Sequence, residues 1–488
     1  MSRPVSWLFR AGELAAEAGL ALRDAKRSYR TLPRESWHRM RTDAFGADPR
    51  GGRLHRVRNS PHFVDGSFRN PVPTRRLAYG HTPLALMRTR LTSDQGRRSP
   101  SAAVPVHRLL PADLSEPPAS GLRLTWLGHA TVLAELDGVR VLFDPVWSER
   151  VSPFDWIGPK RLHPVPLPLS ELGPVDVVVI SHDHYDHLDM ATVRALAAGD
   201  AVFAVPLGIG AHLEHWGVSP RRIVDLDWWE SVELDGLRLT ATPARHYCSR
   251  GPRPSGKFLW SSWVVEGKRH RLFHSGDTGW FPGFADIGER FGPFDATLMQ
   301  VGAYSEHWPE VHLTPEEAVQ AHRDLGGKLL VPIHWGTFDL APHPWEEPAE
   351  RTVAAAHAAG VTVAVPRPGK PFEPADPPPV KLWWRAVAAA PSGADLLVPD
   401  GLAPGVPDSP AALTAPRART PRWPPPGRPA RRARRRPGRH GQAPGHQVRR
   451  RPPRFREARP GRRARTVPRP GRRGPPVLTP AGGSSRLT

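Results

Sequence analysis

Cysteine is almost absent: Cys248 is the only one in 488 residues. That excludes an intramolecular disulfide framework and any cysteine-rich zinc module, and it fits a reducing compartment. Lysine disappears beyond residue 400, and acids nearly do: residues 401–488 hold 23 Arg against only Asp408 and Glu457. These residues account for the whole net charge of +21, while the first 400 residues balance 45 bases with 45 acids. A basic excess of this size suggests a nucleic-acid binder, but the inference applies to the tail alone. Also missing is any uninterrupted apolar run of about 18 residues, the length that crosses a bilayer.

Met1–Arg30 mixes Trp7, Leu8 and Phe9 with Glu13, Glu17, Arg23 and Asp24. It is too charged for a signal-peptide core, and no small-residue cleavage site follows an apolar block. The pattern predicts an amphipathic helix. Docking on its own domain is the plainer expectation, and Trp7 and Phe9 leave peripheral contact with the inner face of a membrane as the second. A cytoplasmic location goes with both.

Composition divides the chain into an N-terminal arm over 1–60, a globular body over 61–390 and an Arg/Pro-rich tail over 391–488. The tail has too little apolar surface to offset ordering entropy. It reads as a disordered extension or as read-through of a GC-rich gene in a shifted frame. Within the body, Leu122–Leu127, Ala130–Leu136 and Val139–Phe143 predict three consecutive strands, the last two joined by an Asp137-Gly138 turn. The run VDVVVI at 175–180 predicts a strand buried on both faces. A helix is expected over Asp189–Ala198, and another over Pro315–Leu325 with a Thr314/Glu317 capping box. Leu234–Thr242, Leu259–Glu266, Arg271–His274 and Leu329–Ile333 are further expected strands. Antiparallel runs giving way to strand–helix alternation predict an α/β sandwich.

Directly after VDVVVI stands Ser181-His182-Asp183-His184-Tyr185-Asp186-His187. Imidazole and carboxylate are the ligands that borderline divalent metals prefer. Alternate residues of an extended turn share a face, so His182 and His184 can grip one ion, while Asp186 and His187 can turn toward a second.

H-x-H-x-D-H after an apolar strand resembles the signature of the metallo-β-lactamase superfamily, which implies an αββα sandwich of two mixed sheets between outer helices. The segments TPARHYCSRG (242–251), HSGDTGWF (274–281), RFGPFD (290–295), GAY (302–304), PEEAV (315–319) and IHWGTF (333–338) resemble the branch containing N-acyl-phosphatidylethanolamine-hydrolysing phospholipase D. So do GSFRNPVPT (66–74), WLGHAT (126–131) and FDPVW (143–147), and the likeness spans Asp65 to Arg385. It implies two divalent cations, zinc foremost, with manganese and iron(II) compatible. It also implies His246 as a third histidine for the first ion, Asp277 as the bridging carboxylate and His334 for the second ion. His129, Asp144 and Tyr185 are expected beside the ligands, with Asp144 orienting an imidazole. His312 is expected to handle protons alongside Asp186. His274 is expected to pack without binding metal, and His343 is disfavoured as a ligand. After Gly302-Ala303-Tyr304 the chain departs from the family pattern with SEHWPEVHLT. Trp280, Phe281, Phe284, Trp335 and Phe338 fit either an acyl-chain wall or ordinary core.

The expected reaction is hydrolysis by a water activated between two ions about 3.5–4 Å apart. By resemblance the substrate is an N-acyl-phosphatidylethanolamine-like lipid, cut to leave phosphatidic acid. A lactonase or other ester hydrolase on the same site is the second reading. A nucleic-acid-binding protein acting through the tail, which would also give non-specific polyanion binding, is the third.

Overall fold

The structure is a computed structural model that describes residues 43–78, 95–251 and 256–391. The helix expected over Met1–Arg30 and the tail beyond Pro391 lie outside these residues. Among the described residues no helix is long and apolar enough to cross a membrane.

The first elements are α1 (Gly51–Asn59), a small β1–β2 hairpin (Phe63–Val64, Ser67–Phe68) and the single turn α2 (Gln95–Arg98). Then follow β3 (Leu122–Gly128), β4 (Thr131–Leu136), β5 (Val139–Phe143), β6 (Val177–Val179), α3 (Met190–Leu196), β7 (Val202–Pro206), α4 (Gly210–His215) and β8 (Ile223–Leu226). The second half holds β9 (Ser231–Leu234), β10 (Leu237–Thr242), β11 (Ser262–Glu266), β12 (Arg271–His274), α5 (Gly283–Phe291), β13 (Phe294–Gln300), α6 (Pro315–Asp324) and β14 (Gly327–Ile333). It closes with α7 (Glu347–Ala359), β15 (Thr362–Val363), β16 (Pro371–Phe372) and α8 (Trp383–Ala389). Two seven-stranded mixed sheets result, ordered β16-β3-β4-β5-β6-β7-β8 and β15-β14-β13-β12-β11-β10-β9. This is the α/β metallo-β-lactamase sandwich.

Alternation within the strands explains the layering. Leu122, Leu124 and Trp126 of β3 and Val139, Val141 and Phe143 of β5 enter the large core shared with the second sheet. Leu127, Leu133 and Leu142 point the other way, into a separate cluster with Leu109, Leu167 and Leu172. Val178, Phe203 and Val205 pack with Val193 of α3 and Leu213 of α4. Strands covered on both faces become the continuous apolar runs seen in the sequence. On the second sheet Phe284, Ile287, Ala318, Ala321, Trp383 and Trp384 from the later helices join the same large core.

The local devices are largely those expected. Asp137 and Gly138 adopt φ +50° and +92°, the positive pair that a tight two-residue hairpin loop needs. Asp189 caps α3 by accepting from the Ala191 amide, and Thr314 and Glu317 form the capping box of α6. One expectation needs correcting. Leu234–Thr242 is no single strand but the inner part of the β9–β10 hairpin, turning at Asp235 and Gly236 with φ +50° and +86°.

Strand direction gathers the chemistry at one edge. β3, β5 and β6 run parallel to one another, because β4 is antiparallel to both of its neighbours and β5 pairs parallel with β6. β10, β12 and β14 likewise share a direction. Every residue singled out as a ligand or its neighbour follows the C-terminal end of one of these strands or lies in a loop beyond it.

Candidate metal centre

Two ligand groups form where the strand ends meet. His182, His184, His246 and Asp277 bring one ligand atom each within 4.8 Å of the others, and so do Asp186, His187, His334 and His129. Asp277 lies between the groups. Its Oδ2 faces His182 Nε2 and His246 Nε2 at 3.9 and 3.7 Å, and its Oδ1 faces His187 Nε2 and His334 Nε2 at 3.2 and 3.0 Å. One carboxylate thus presents a separate oxygen to each group. Within the groups, His246 Nε2 lies 3.3 Å from His184 Nδ1, and His334 Nε2 lies 3.1 Å from His187 Nε2. Ligand atoms around a tetrahedral zinc with bonds of about 2.0–2.1 Å are about 3.3 Å apart, so these spacings suit shared coordination.

The approach of the two sheets depends on Gly276, which follows β12 at φ +54°. A Cβ there would stand 2.7 Å from Ser181 Cβ and 2.9 Å from the Ser261 carbonyl. Only glycine lets the strand end carrying Asp277 come so close to the one carrying His182.

Partners on the outer nitrogens set the tautomers. Asp144 accepts from the Ser181 amide and hydroxyl, both at 2.7 Å, and from His187 Nδ1 at 2.8 Å. His182 Nδ1 donates to Ser181 Oγ at 2.9 Å, and His246 Nδ1 donates to the Val311 carbonyl at 2.9 Å. Each of these bonds puts the proton on Nδ1 and leaves the Nε2 lone pair facing inward, the arrangement metal-binding histidines need. His182 Nε2 and Asp277 Oδ1 are buried with no hydrogen-bond partner. Burial disfavours charge on His187, yet Asp277, Asp186 and Asp144 hold its pKa well above the ordinary imidazole value, so a cation bound at Nε2 would displace a proton there. Burial would raise the Asp277 carboxyl, but His187, His334 and His312 hold it well below its usual range. Inward lone pairs, orphaned buried atoms and ionised carboxylates together fit a divalent cation in each group.

His129 Nε2 donates to Asp186 Oδ2 at 2.9 Å, so it orients a candidate ligand whose side chain keeps 15% exposure. His312 Nε2 lies 3.8 Å from Asp277 Oδ2, and burial pushes its pKa down to about 4, which leaves it neutral. The Tyr185 hydroxyl donates to the Arg250 carbonyl at 2.8 Å. His274 stacks on Phe143 and bonds the Ala130 carbonyl, and His343 Nε2 accepts from the Ala303 amide. Phe281, Phe284 and Trp335 are core residues, Trp335 stacking between Trp126 and Trp383. Phe338 lies edge-on to His129 in a small cluster with Val146 and Val151. Sequence reasoning missed Ser181, Thr337 and Arg250, whose hydrogen bonds hold the site. Ser181 had a signal in its place just before the first histidine, and Arg250 lies in the family-like segment 242–251, but nothing local to it pointed to the carbonyls it binds.

Comparison with known proteins agrees. Residues 139–335 match the family described as "Beta-lactamase superfamily domain". An uncharacterised protein of Mycobacterium tuberculosis is 47% identical over 352 residues, covering 70% of this chain and 92% of its own length. N-acyl-phosphatidylethanolamine-hydrolyzing phospholipase D 1 of Caenorhabditis elegans is 38% identical over 251 residues, covering 49% of this chain and 70% of its own. A metal-dependent hydrolase of Methanopyrus kandleri is 28% identical over 262 residues, covering 52% of this chain and all of its own length.

Proposed function

This chain belongs to the metallo-β-lactamase superfamily and is a metal-dependent hydrolase, and we propose that it cleaves a lipid phosphodiester of the N-acyl-phosphatidylethanolamine kind. The observation that carries the reading is Asp277, with one oxygen turned to each ligand group. His182, His184 and His246 would hold one ion and Asp186, His187 and His334 the other, zinc being the metal that suits this nitrogen-rich set. A pair of divalent cations supplies charge neutralisation for a phosphodiester and a water acidic enough to attack near neutral pH.

The chain's own groups do the rest. Asp277 and Asp186 both stay ionised, because neighbouring histidines outweigh the burial that would raise their pKa values. Asp186 is held in one orientation by His129 and offers its carboxylate to an incoming water. His312 is neutral by burial, and its Nε2 faces the gap beside Asp277 with 13% of its side chain exposed. As a neutral imidazole it can take up a proton or give its N–H to a phosphoryl oxygen, the two roles that general acid–base catalysis assigns to histidine. The phospholipase relative of 38% identity supports the choice of substrate class.

The test is metal analysis together with a panel of N-acyl-phosphatidylethanolamine, a cyclic nucleotide and a lactone. Release of phosphatidic acid from the lipid supports the reading. Ring opening of the lactone with the lipid untouched would replace it with a carboxyl-ester hydrolase on the same centre.

A further inference from the structure

The His182–His187 turn is held by its backbone through one buried guanidinium. Arg250 Nη1 donates to the carbonyls of Asp183 and Leu188 at 2.9 and 2.7 Å, one at each end of the turn. The guanidinium also lies over the rings of Tyr185 and Trp216, 4.1 and 4.7 Å from their centroids. Its Nε donates to the Ala44 carbonyl at 2.8 Å, 206 positions away in sequence. That last bond ties the turn to the segment Asp43–Ala47.

The segment reaches the turn by a second route. The Ala47 amide donates to His212 Nδ1 at 3.0 Å, which places the His212 proton on Nε2, 3.9 Å from Asp183 Oδ2, a charge contact too long for a hydrogen bond. Asp183, between the two inward histidines, accepts from the Ser249 amide through its other oxygen at 2.8 Å. Trp216 Nε1 donates to the Asp43 carbonyl at 2.7 Å and fixes the segment's start. Gly46 sits at φ +72°, and a Cβ there would fall 1.9 Å from His212 Nδ1. The close fit of segment to histidine therefore needs glycine.

A turn carrying four ligand atoms has carbonyls that no strand or helix satisfies. A planar guanidinium can fix two of them and a third partner in one rigid array, which an ammonium cannot do. We infer that Arg250 is a positioning residue, and that Arg250 with the Asp43–Ala47 segment sets the spacing of the ligand atoms on the His182–His187 turn and hence its affinity for divalent metal. The inference rests on the metal-centre reading above. Neither Arg250 nor the segment supplies a ligand atom, so the effect belongs to pre-organisation of the turn. Loss of such outer contacts typically weakens metal binding by about 10–100-fold.

The experiment strips the full-length chain of metal and titrates zinc against a chromophoric chelator, with the absorption spectrum of the cobalt(II)-loaded protein as a second readout. Arg250→Lys keeps charge and stem but loses the fork. Gly46→Val displaces the segment without touching Arg250. Arg140→Lys is the control, since Arg140 Nη2 donates to the Leu172 carbonyl at 2.7 Å in a part of the fold remote from the turn. The expected result is zinc affinity lowered tenfold or more, with an altered cobalt spectrum, in both Arg250→Lys and Gly46→Val, and wild-type values in Arg140→Lys. Wild-type affinity and spectrum in both test variants would overturn the inference while leaving the metal centre standing. Equal weakening in all three would overturn it too, as a general loss of stability. A wild-type chain that binds no divalent metal would instead remove the reading beneath it.

Discussion

The amide of His334 donates to the carbonyl of His129 at 2.8 Å, and both residues lie in the left-handed backbone region, at φ +66° and +53°. The bond joins the end of β14 in one sheet to the end of β3 in the other. Non-glycine residues in this region cost about 1–3 kcal/mol each and persist only where their surroundings fix them. Here Thr337 does much of the fixing: its Oγ1 accepts from the His129 amide at 2.7 Å and lies 3.0 Å from His163 Nε2.

Thr337→Val keeps the shape and removes the hydroxyl, leaving the buried His129 amide without its acceptor. The expected loss is about 1–3 kcal/mol of stability in urea unfolding, with Thr337→Ser close to wild type. Equal stability of the valine variant would show that the hydroxyl does not hold the His129 turn.

Asp144 collects three donors and passes their order to His187. Asp144→Asn keeps one acceptor oxygen, so it must give up either the Ser181 amide or the pair of donors on Oδ2, the Ser181 hydroxyl and His187 Nδ1. Metal affinity measured by chelator competition should fall by about 10–100-fold while the circular dichroism spectrum stays native. Unchanged affinity would mean that the His187 ring is oriented by packing alone.

Much of this centre was readable because its ligands sit beside strong local signals. A continuous β-branched run ending in a histidine-rich turn reads as a buried strand feeding a site, and the Thr314/Glu317 box marks a helix start in four residues. The β9–β10 turn carried the same Asp-Gly signal as the Asp137-Gly138 turn, but the apolar pattern running through it masked the break. Strands β7, β8 and β13 and helices α1, α4, α5, α7 and α8 were among the elements that went unread. The polar faces of α7 blur its period. Convergence itself is a long-range property: nothing local to Asp277 says which oxygen faces which histidine, and nothing local to Arg250 says that Ala44 lies against it. The expected roles of Phe281, Phe284 and Trp335 stayed open for the same reason, since aromatic core and aromatic pocket look alike in sequence.

His322 gives a pH test away from the centre. It is buried on α6 with Nδ1 2.7 Å from Thr297 Oγ1, and burial pushes its pKa down to about 4. An unfolded histidine titrates near about 6.5, so the unfolded chain takes up a proton that the folded chain refuses until about pH 4. Stability from this group is complete above about pH 6.5 and is lost as pH falls toward 4, by on the order of 2–3 kcal/mol. His322→Gln should flatten the fall of unfolding free energy across that window by about one proton's worth. An unaltered slope would show that His322 titrates normally in the folded protein.

The proposal that Asp277 serves both ion sites is open to one direct measurement: metal content per chain, by plasma mass spectrometry, of zinc-reconstituted wild type and Asp277→Ala. Wild type should hold two ions, and the variant one or none, with hydrolysis gone and the fold retained. Two tightly held ions and full activity in Asp277→Ala would contradict the shared carboxylate and the two-ion centre built on it.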